Sequence, residues 1–180
     1  MPQITASRRT AKPLIAVTML SHGTLSSLDL QASRRFYEEV LGLDVIQVSP
    51  VSMLTRMGSN HTYVVVETGQ NSTMGVLDHN GIDVATREEV DRAHETLKNE
   101  YGIRRINKLM EQHGVYSFYL QDLDGNWWEI LNNPVDGYTF LYDEGRDITG
   151  RTDVDPELME HVADDGFFAR LRATSWLVRS

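Results

Sequence analysis

The side chains able to do metal or acid–base chemistry in this chain are few in kind. Its 180 residues include no cysteine, which removes disulfide staples, zinc ribbons, iron–sulfur clusters and thiol nucleophiles. His, Asp, Glu and Tyr remain, and the six histidines stand at positions 22, 61, 79, 94, 113 and 161. Glu129 lies within Trp127-Trp128-Glu129-Ile130-Leu131, a stretch apolar on both faces of a strand. An ionised carboxylate buried there is costly unless it is paired, protonated or bound to a cation. His79 lies in Leu77-Asp78-His79-Asn80-Gly81-Ile82, at the first strand of a second repeat, and the corresponding strand of the first repeat ends with His22. Taken singly, each histidine reads as an ordinary polar residue. Two imidazoles at equivalent points of a duplicated unit, with one buried carboxylate, form a metal-site pattern. Such a set suits a facial triad, which leaves coordination positions open on iron.

The elements that must position these groups repeat along the chain. Residues 1–13 are polar, bracketed by Pro2 and Pro13, and read as a loose arm. Leu14–Leu20 is short, apolar and bounded, which predicts a buried strand. Asp29 offers a helix N-cap, Leu30, Ser33, Phe36, Tyr37, Val40 and Leu41 give a stripe, and Gly42 closes it. Val45–Val48, Met53-Leu54 and Thr62–Thr68 read as strands, with Pro50 breaking the first two apart. After the polar linker 69–75 the order recurs. Val76–Val84 reads as a strand, Thr86–Glu89 as a capping box, and Val90, Ala93, His94, Leu97 and Tyr101 as a helix closed by Gly102. Ile103–Ile106, Val115–Gln121 and Trp127–Leu131 follow as strands, the last two joined at Asp124-Gly125. Strand, helix and three strands thus occur twice at a period of roughly 57–60 residues, which predicts an α+β fold of two βαβββ modules at about 14–72 and 75–134. His94, on an apolar helix stripe, reads as structural. Residues 135–180 read as an extension with a helix starting at Asp155-Pro156-Glu157, docked on the body or on a second subunit; His161 within it has no assigned role.

Charge narrows the partners. The 17 basic and 26 acidic side chains leave a net charge of −9, with no run of five cations, which argues against nucleic-acid binding. No apolar stretch approaches the roughly 20 residues that cross a bilayer. The N-terminus carries cations without an apolar block behind them. The expectation is a soluble, cytoplasmic domain.

Two stretches carry a resemblance. His22–Leu43, with Asp29-Leu30, Phe36-Tyr37 and Leu41-Gly42-Leu43, and Ser117–Ile130, with Asp122-Leu-Asp124-Gly125-Asn126 and Glu129, resemble the vicinal oxygen chelate superfamily. That superfamily holds glyoxalase I, fosfomycin-resistance proteins and type I extradiol dioxygenases. The resemblance spans about residues 14–132 and implies one cupped, barrel-like sheet around a metal site, with His22, His79 and Glu129 as the ligands. Within the superfamily the chain is most similar to a single-domain type I extradiol dioxygenase. Tyr119 stands ten residues before Glu129, where those enzymes carry a tyrosine, and His61 stands 18 residues before His79, where a second-sphere histidine is plausible. A further active-site histidine is expected in the loop before the Tyr119 strand; His113 lies there, a few positions off the family's place. The chain departs from the many members that carry an additional two-repeat domain.

That similarity implies Fe(II), or Mn(II), acting with O₂ on a small aromatic diol to give a yellow hydroxymuconic semialdehyde-type product. It gives His61 the acid–base role and Tyr119 a hydrogen bond to the catecholate, and it implies a homodimer or higher homo-oligomer. The alternative within the superfamily is a glyoxalase-like lyase, isomerase or epimerase with a fourth ligand from the first module. Glu67 is the candidate, sharing a strand face with His61, Tyr63 and Val65; its ordinary reading is an exposed strand end. A sequestering module without enzymatic activity lacks the triad in that superfamily, so the joint presence of His22, His79 and Glu129 argues against it.

Overall fold

The computed structural model describes residues 18–58, 60–103, 105–112, 114–134 and 137–138. The arm 1–13, the helix start at Asp155, His113 and His161 lie outside the described residues. The first module runs β1 (His22–Ser27), α1 (Leu30–Arg35) continuing as a π-helical turn (Phe36–Val40), β2 (Asp44–Ser49), β3 (Ser52–Arg56) and β4 (Thr62–Glu67). The second runs from a 3₁₀ turn (Val76–Asp78) into β5 (Asn80–Asp83), α2 (Arg87–Asn99), β6 (Met110–Gln112), β7 (Val115–Gln121) and β8 (Trp127–Asn132). The duplicated α+β architecture is the expected one. The strands hydrogen-bond within their own modules, giving two four-stranded sheets in the orders β1-β4-β3-β2 and β5-β8-β7-β6. In each, the strand before the helix lies parallel to the last strand of its module.

Local chemistry sets the helix starts. Asp29 takes extended angles and its carboxylate accepts from the amides of Gln31 (2.9 Å) and Ala32 (3.1 Å), satisfying donors that the first turn leaves open. Thr86 and Glu89 form the reciprocal box, each side chain 3.2 Å from the other's amide. Gly42 (φ 69°) and Gly102 (φ 65°) take the left-handed conformation beyond the helices, which a Cβ disfavours.

Three strands lie elsewhere than their composition suggests. Residues 14–17 of the expected strand Leu14–Leu20 lie outside the described residues, Met19 and Leu20 are 50% and 77% exposed, and the strand that is described, β1, begins at His22. Pairing with β4, from His22–Thr62 to Ser27–Glu67, puts Leu25 and Ser27 in the interior. A shift by one residue would turn both outward. Val76–Val84 is divided: Asp78 closes a 3₁₀ turn, and only Asn80–Asp83 pairs with β8. Among the described residues of Ile103–Ile106 one bridge forms, Ile106 to Leu120, while Ile103 is buried in the core; the strand that precedes β7 is β6, Met110–Gln112.

One apolar cluster fills the interior, with Phe36, Tyr37 and Val65 from the first module and Val90, Phe118 and Trp128 from the second. A buried polar knot joins the modules at the β7–β8 turn. Asp122 accepts from the Tyr37 hydroxyl (2.8 Å), Trp128 Nε1 (3.2 Å) and Asn126 Nδ2 (2.8 Å), and from the amides of Asp124 and Asn126 (2.9 Å each). Asp124 accepts from the Leu28 amide at 2.8 Å and from the Ser33 hydroxyl. Burial, and then the charge of Asp124, push the Asp122 carboxyl up to about 6, so at neutral pH it is a carboxylate able to accept from all five donors. Among the described residues no helix is long and apolar enough to cross a membrane.

Candidate metal centre

Strand alternation decides which side chains can meet. On β7 and β8, Phe118, Leu120, Trp128 and Ile130 enter the core, so Ser117, Tyr119, Trp127 and Glu129 occupy the opposite, open face. On β1 and β4, Leu25 and Val65 enter the core, which puts His22, Thr24, Thr62 and Val64 on the open face and Tyr63 and Glu67 on the helix-facing one.

His79, just before β5, stands with its Nε2 3.3 Å from Glu129 Oε2. Its Nδ1 lies 2.6 Å from the Val76 carbonyl. A carbonyl only accepts, so Nδ1 carries the hydrogen and donates it. In the neutral ring Nε2 is then a lone pair facing a carboxylate, two acceptors that attract only through a proton or a cation between them. The donor chemistry therefore fits a metal ion, with an imidazolium–carboxylate pair as the metal-free state. Tyr119 is the register partner of Glu129, and its ring packs edge-on against His79 at 4.7 Å. On the other side Glu129 is paired with Gly81, which has no side chain to crowd it.

The electrostatics follow from these contacts. Burial alone would raise Glu129, but hydrogen bonds from His79, Ser117 and Tyr119 outweigh it and hold the carboxyl below its ordinary value. The bond to Glu129 raises His79 against the opposing effect of burial. Burial, reinforced by the Glu129 charge, pushes the Tyr119 phenol well up, so Tyr119 keeps its proton and remains a donor.

The structure thus brings together His79, Glu129 and Tyr119. His22 sits on the open face of the first sheet with Nδ1 2.8 Å from Ser21 Oγ. Among the described residues no three His, Asp or Glu side chains gather closely enough to hold a metal ion. His61 packs its ring on Tyr63 (5.0 Å), which packs on Trp128 (5.7 Å), and its Nδ1 is 3.3 Å from the Leu20 carbonyl. Glu67 is turned to the helix-facing side, where its carboxylate accepts from the Leu30 amide at 3.2 Å. The register counterpart of Glu129 in the first module is Val64: Thr24, two residues after His22, pairs with Val64 as Gly81 pairs with Glu129. His94 bonds the Asn107 carbonyl at 2.9 Å and packs on Phe118. Ser117, which supports Glu129, was not among the sequence candidates, although its place two residues before Tyr119 on a strand puts it on the same face. A second apolar cluster of Met110, Tyr119 and Trp127, with Met74 and Val76 against it, flanks the pair.

Comparison with solved structures agrees with this fold. An oxidase, ChaP-H2, is 21% identical with a TM-score of 0.53, covering 67% of this chain and 97% of its own. A glyoxalase-related enzyme from Fulvimarina pelagi is 24% identical with a TM-score of 0.53, covering 66% and 91%. Lactoylglutathione lyase from Agrobacterium tumefaciens is 19% identical with a TM-score of 0.51, covering 66% and 96%. No curated protein matches the chain. The model for one family matches residues 19–130, most of both modules, and with the duplicated fold this places the chain in the glyoxalase/bleomycin resistance protein/dioxygenase superfamily.

Proposed function

We propose that this protein is an extradiol ring-cleavage dioxygenase acting on a catechol-type aromatic, with Fe(II), or Mn(II), as its metal and O₂ as co-substrate. The observation that carries the reading is the His79–Glu129 pair at 3.3 Å, with its second imidazole nitrogen pinned and Tyr119 against both residues. His79, Glu129 and, from β1, His22 would hold the metal. The metal would supply the redox chemistry with O₂ and acidify a catechol hydroxyl.

The chain's own groups do the rest. Val76 holds the His79 ring so that Nε2 is the nitrogen offered. Glu129 contributes one negative charge, and a catechol bound as a monoanion would balance the +1 left on a divalent ion. Tyr119 holds its proton at Oη and donates it toward the anionic oxygens of the site. Met110 and Trp127 give an apolar flank that limits water. The glyoxalase-like reading asks for a carboxylate from the first module. Glu67 faces the other side of its sheet, and Val64 fills the register position, so the three-ligand reading is favoured.

Oxygen uptake by Fe(II)-reconstituted protein tests this, with catechols added singly and absorbance followed for the yellow product. Uptake with colour is expected for at least one catechol. No uptake on any of them, with iron bound and the protein folded, would sink the reading. His61 packs its ring edge-on at 5.0 Å against Tyr63, a residue of the helix-facing side of β4 and not of the face that carries His22. On that geometry His61→Phe is expected to keep turnover. A fall beyond about tenfold at unchanged metal content would restore the general acid–base role that the resemblance gives it.

A further inference from the structure

The segment that delivers His79 is built as a strap. Ser72 donates its amide to the Asp124 carbonyl at 2.7 Å, on the turn that joins the modules. Gly125 lies beneath it at φ 84°, where a Cβ would come within 3.5 Å of the Ser72 carbonyl oxygen. From Ser72 the chain crosses the open face of the second sheet, with Met74 and Val76 seated on Met110, Tyr119 and Trp127. It then closes in a 3₁₀ turn. The Asp78 amide donates to the Gly75 carbonyl (2.9 Å), and the Asp78 carboxylate accepts from the Gly75 amide (2.8 Å). Inside that closed turn lies Val76, whose carbonyl meets His79 Nδ1.

We propose that Asp78 is a positioning residue for His79: by closing the Gly75–Asp78 turn it aims the Val76 carbonyl at Nδ1, which selects the tautomer that leaves Nε2 free opposite Glu129. The physical reason is that a three-residue 3₁₀ turn has few bonds of its own, and the packing of Val76 on Met110, Tyr119 and Trp127 places its side chain without fixing the direction of its carbonyl. Without the Asp78 carboxylate the Gly75 amide returns to water and the carbonyl loses its direction. A free imidazole then samples both tautomers, and the ring no longer presents one fixed nitrogen. Partners that orient a ligand in this way typically carry a 10–100-fold share of metal affinity. The role at a metal rests on the function proposed above; the tautomer selection does not.

The test is nitrogen-15 NMR of histidine-labelled, metal-free protein at alkaline pH, where the rings are neutral. The His79 signal is assigned by its loss in His79→Gln, and Co(II) affinity is measured in parallel. The wild type is expected to show the Nδ1–H tautomer. Asp78→Ala should shift the signal toward a tautomer mixture and weaken Co(II) binding by about 10–100-fold, and Asp78→Asn, which still offers an acceptor oxygen, should recover most of both. Asp78 is exposed, so folding of the variants is checked by circular dichroism and expected unchanged. A wild-type tautomer and an affinity within about twofold in Asp78→Ala would overturn the proposal. Because the tautomer is read without metal or catechol, absence of oxygen uptake by the wild type would remove the proposed reaction and leave this inference standing.

Discussion

Glu129→Gln is expected to abolish catechol-dependent oxygen uptake and to lower metal affinity by more than the roughly 10–100-fold that loss of an outer-shell partner costs. The substitution keeps the side chain's size and one carbonyl oxygen for the Ser117 and Tyr119 hydroxyls, so the sheet has little reason to rearrange. What it removes is the negative charge. In the metal-free protein the same variant has a second signature. The bond to Glu129 is the main cause of the raised His79 value, so His79 should titrate lower in Glu129→Gln than in the wild type.

The stability linkage follows with a definite sign. A raised His79 contributes stability that is present below its ordinary value and lost as pH rises through the raised one; a lowered Glu129 contributes stability that is lost as pH falls through the lowered value. The wild type should therefore gain over Glu129→Gln in thermal stability most strongly between those limits, in mildly acidic solution. Both side chains keep some contact with solvent, so the gain is small beside the loss of metal. Unchanged metal affinity in Glu129→Gln would dismiss Glu129 as a ligand.

Much of this arrangement is legible in the sequence, for identifiable reasons. Capping residues act over three or four positions, so Asp29, Thr86 and Glu89 announce their helices locally. Glu129 announces itself because a carboxylate inside Trp-Trp-Glu-Ile-Leu needs a partner wherever the strand packs. The duplicated order then makes His79 the nearest imidazole to look for. What stayed hidden depends on register. The β1 strand that pairs with β4 is His22–Ser27, a register that buries Leu25 and Ser27 together, and its polar composition does not announce it. The same register puts Glu67 on the helix-facing side and Val64 at the position that matches Glu129. His61 is close to β4 in sequence, and its ring packs edge-on against Tyr63 of the helix-facing side. No local pattern marks that difference, because period-two alternation fixes relative faces and says nothing of which face is open.

Asp122→Ala is the substitution expected to cost most stability. Its carboxylate is the common acceptor for five donors, on Tyr37, Trp128, Asn126 and the Asp124 and Asn126 backbones. Tyr37, Trp128 and Asn126 are no more than 1% exposed, so water cannot readily take the place of the lost oxygens. A buried donor left without a partner costs about 1–3 kcal/mol, and breaking a buried charged network typically costs about 3–5 kcal/mol in total. Against a usual folding stability of about 5–15 kcal/mol, this is a large fraction. For a domain of this size it corresponds to a fall in Tm of roughly 10 °C or more at neutral pH. Asp122→Asn keeps the volume and one acceptor oxygen but points an NH₂ group at donors, so it should fall between the wild type and Asp122→Ala. A Tm within about 2 °C of wild type for Asp122→Ala would show that the knot is dispensable. The site should feel the same change. Trp128, one of the five partners, precedes Glu129 on β8 and packs on both Tyr37 and Tyr63 of the first module. Loosening it frees the strand that carries the carboxylate from the module that carries His22. Asp122→Ala is accordingly expected to weaken metal binding even at temperatures where it remains folded. Glu129→Gln, whose substitution lies on the open face, should lose metal with little change in Tm.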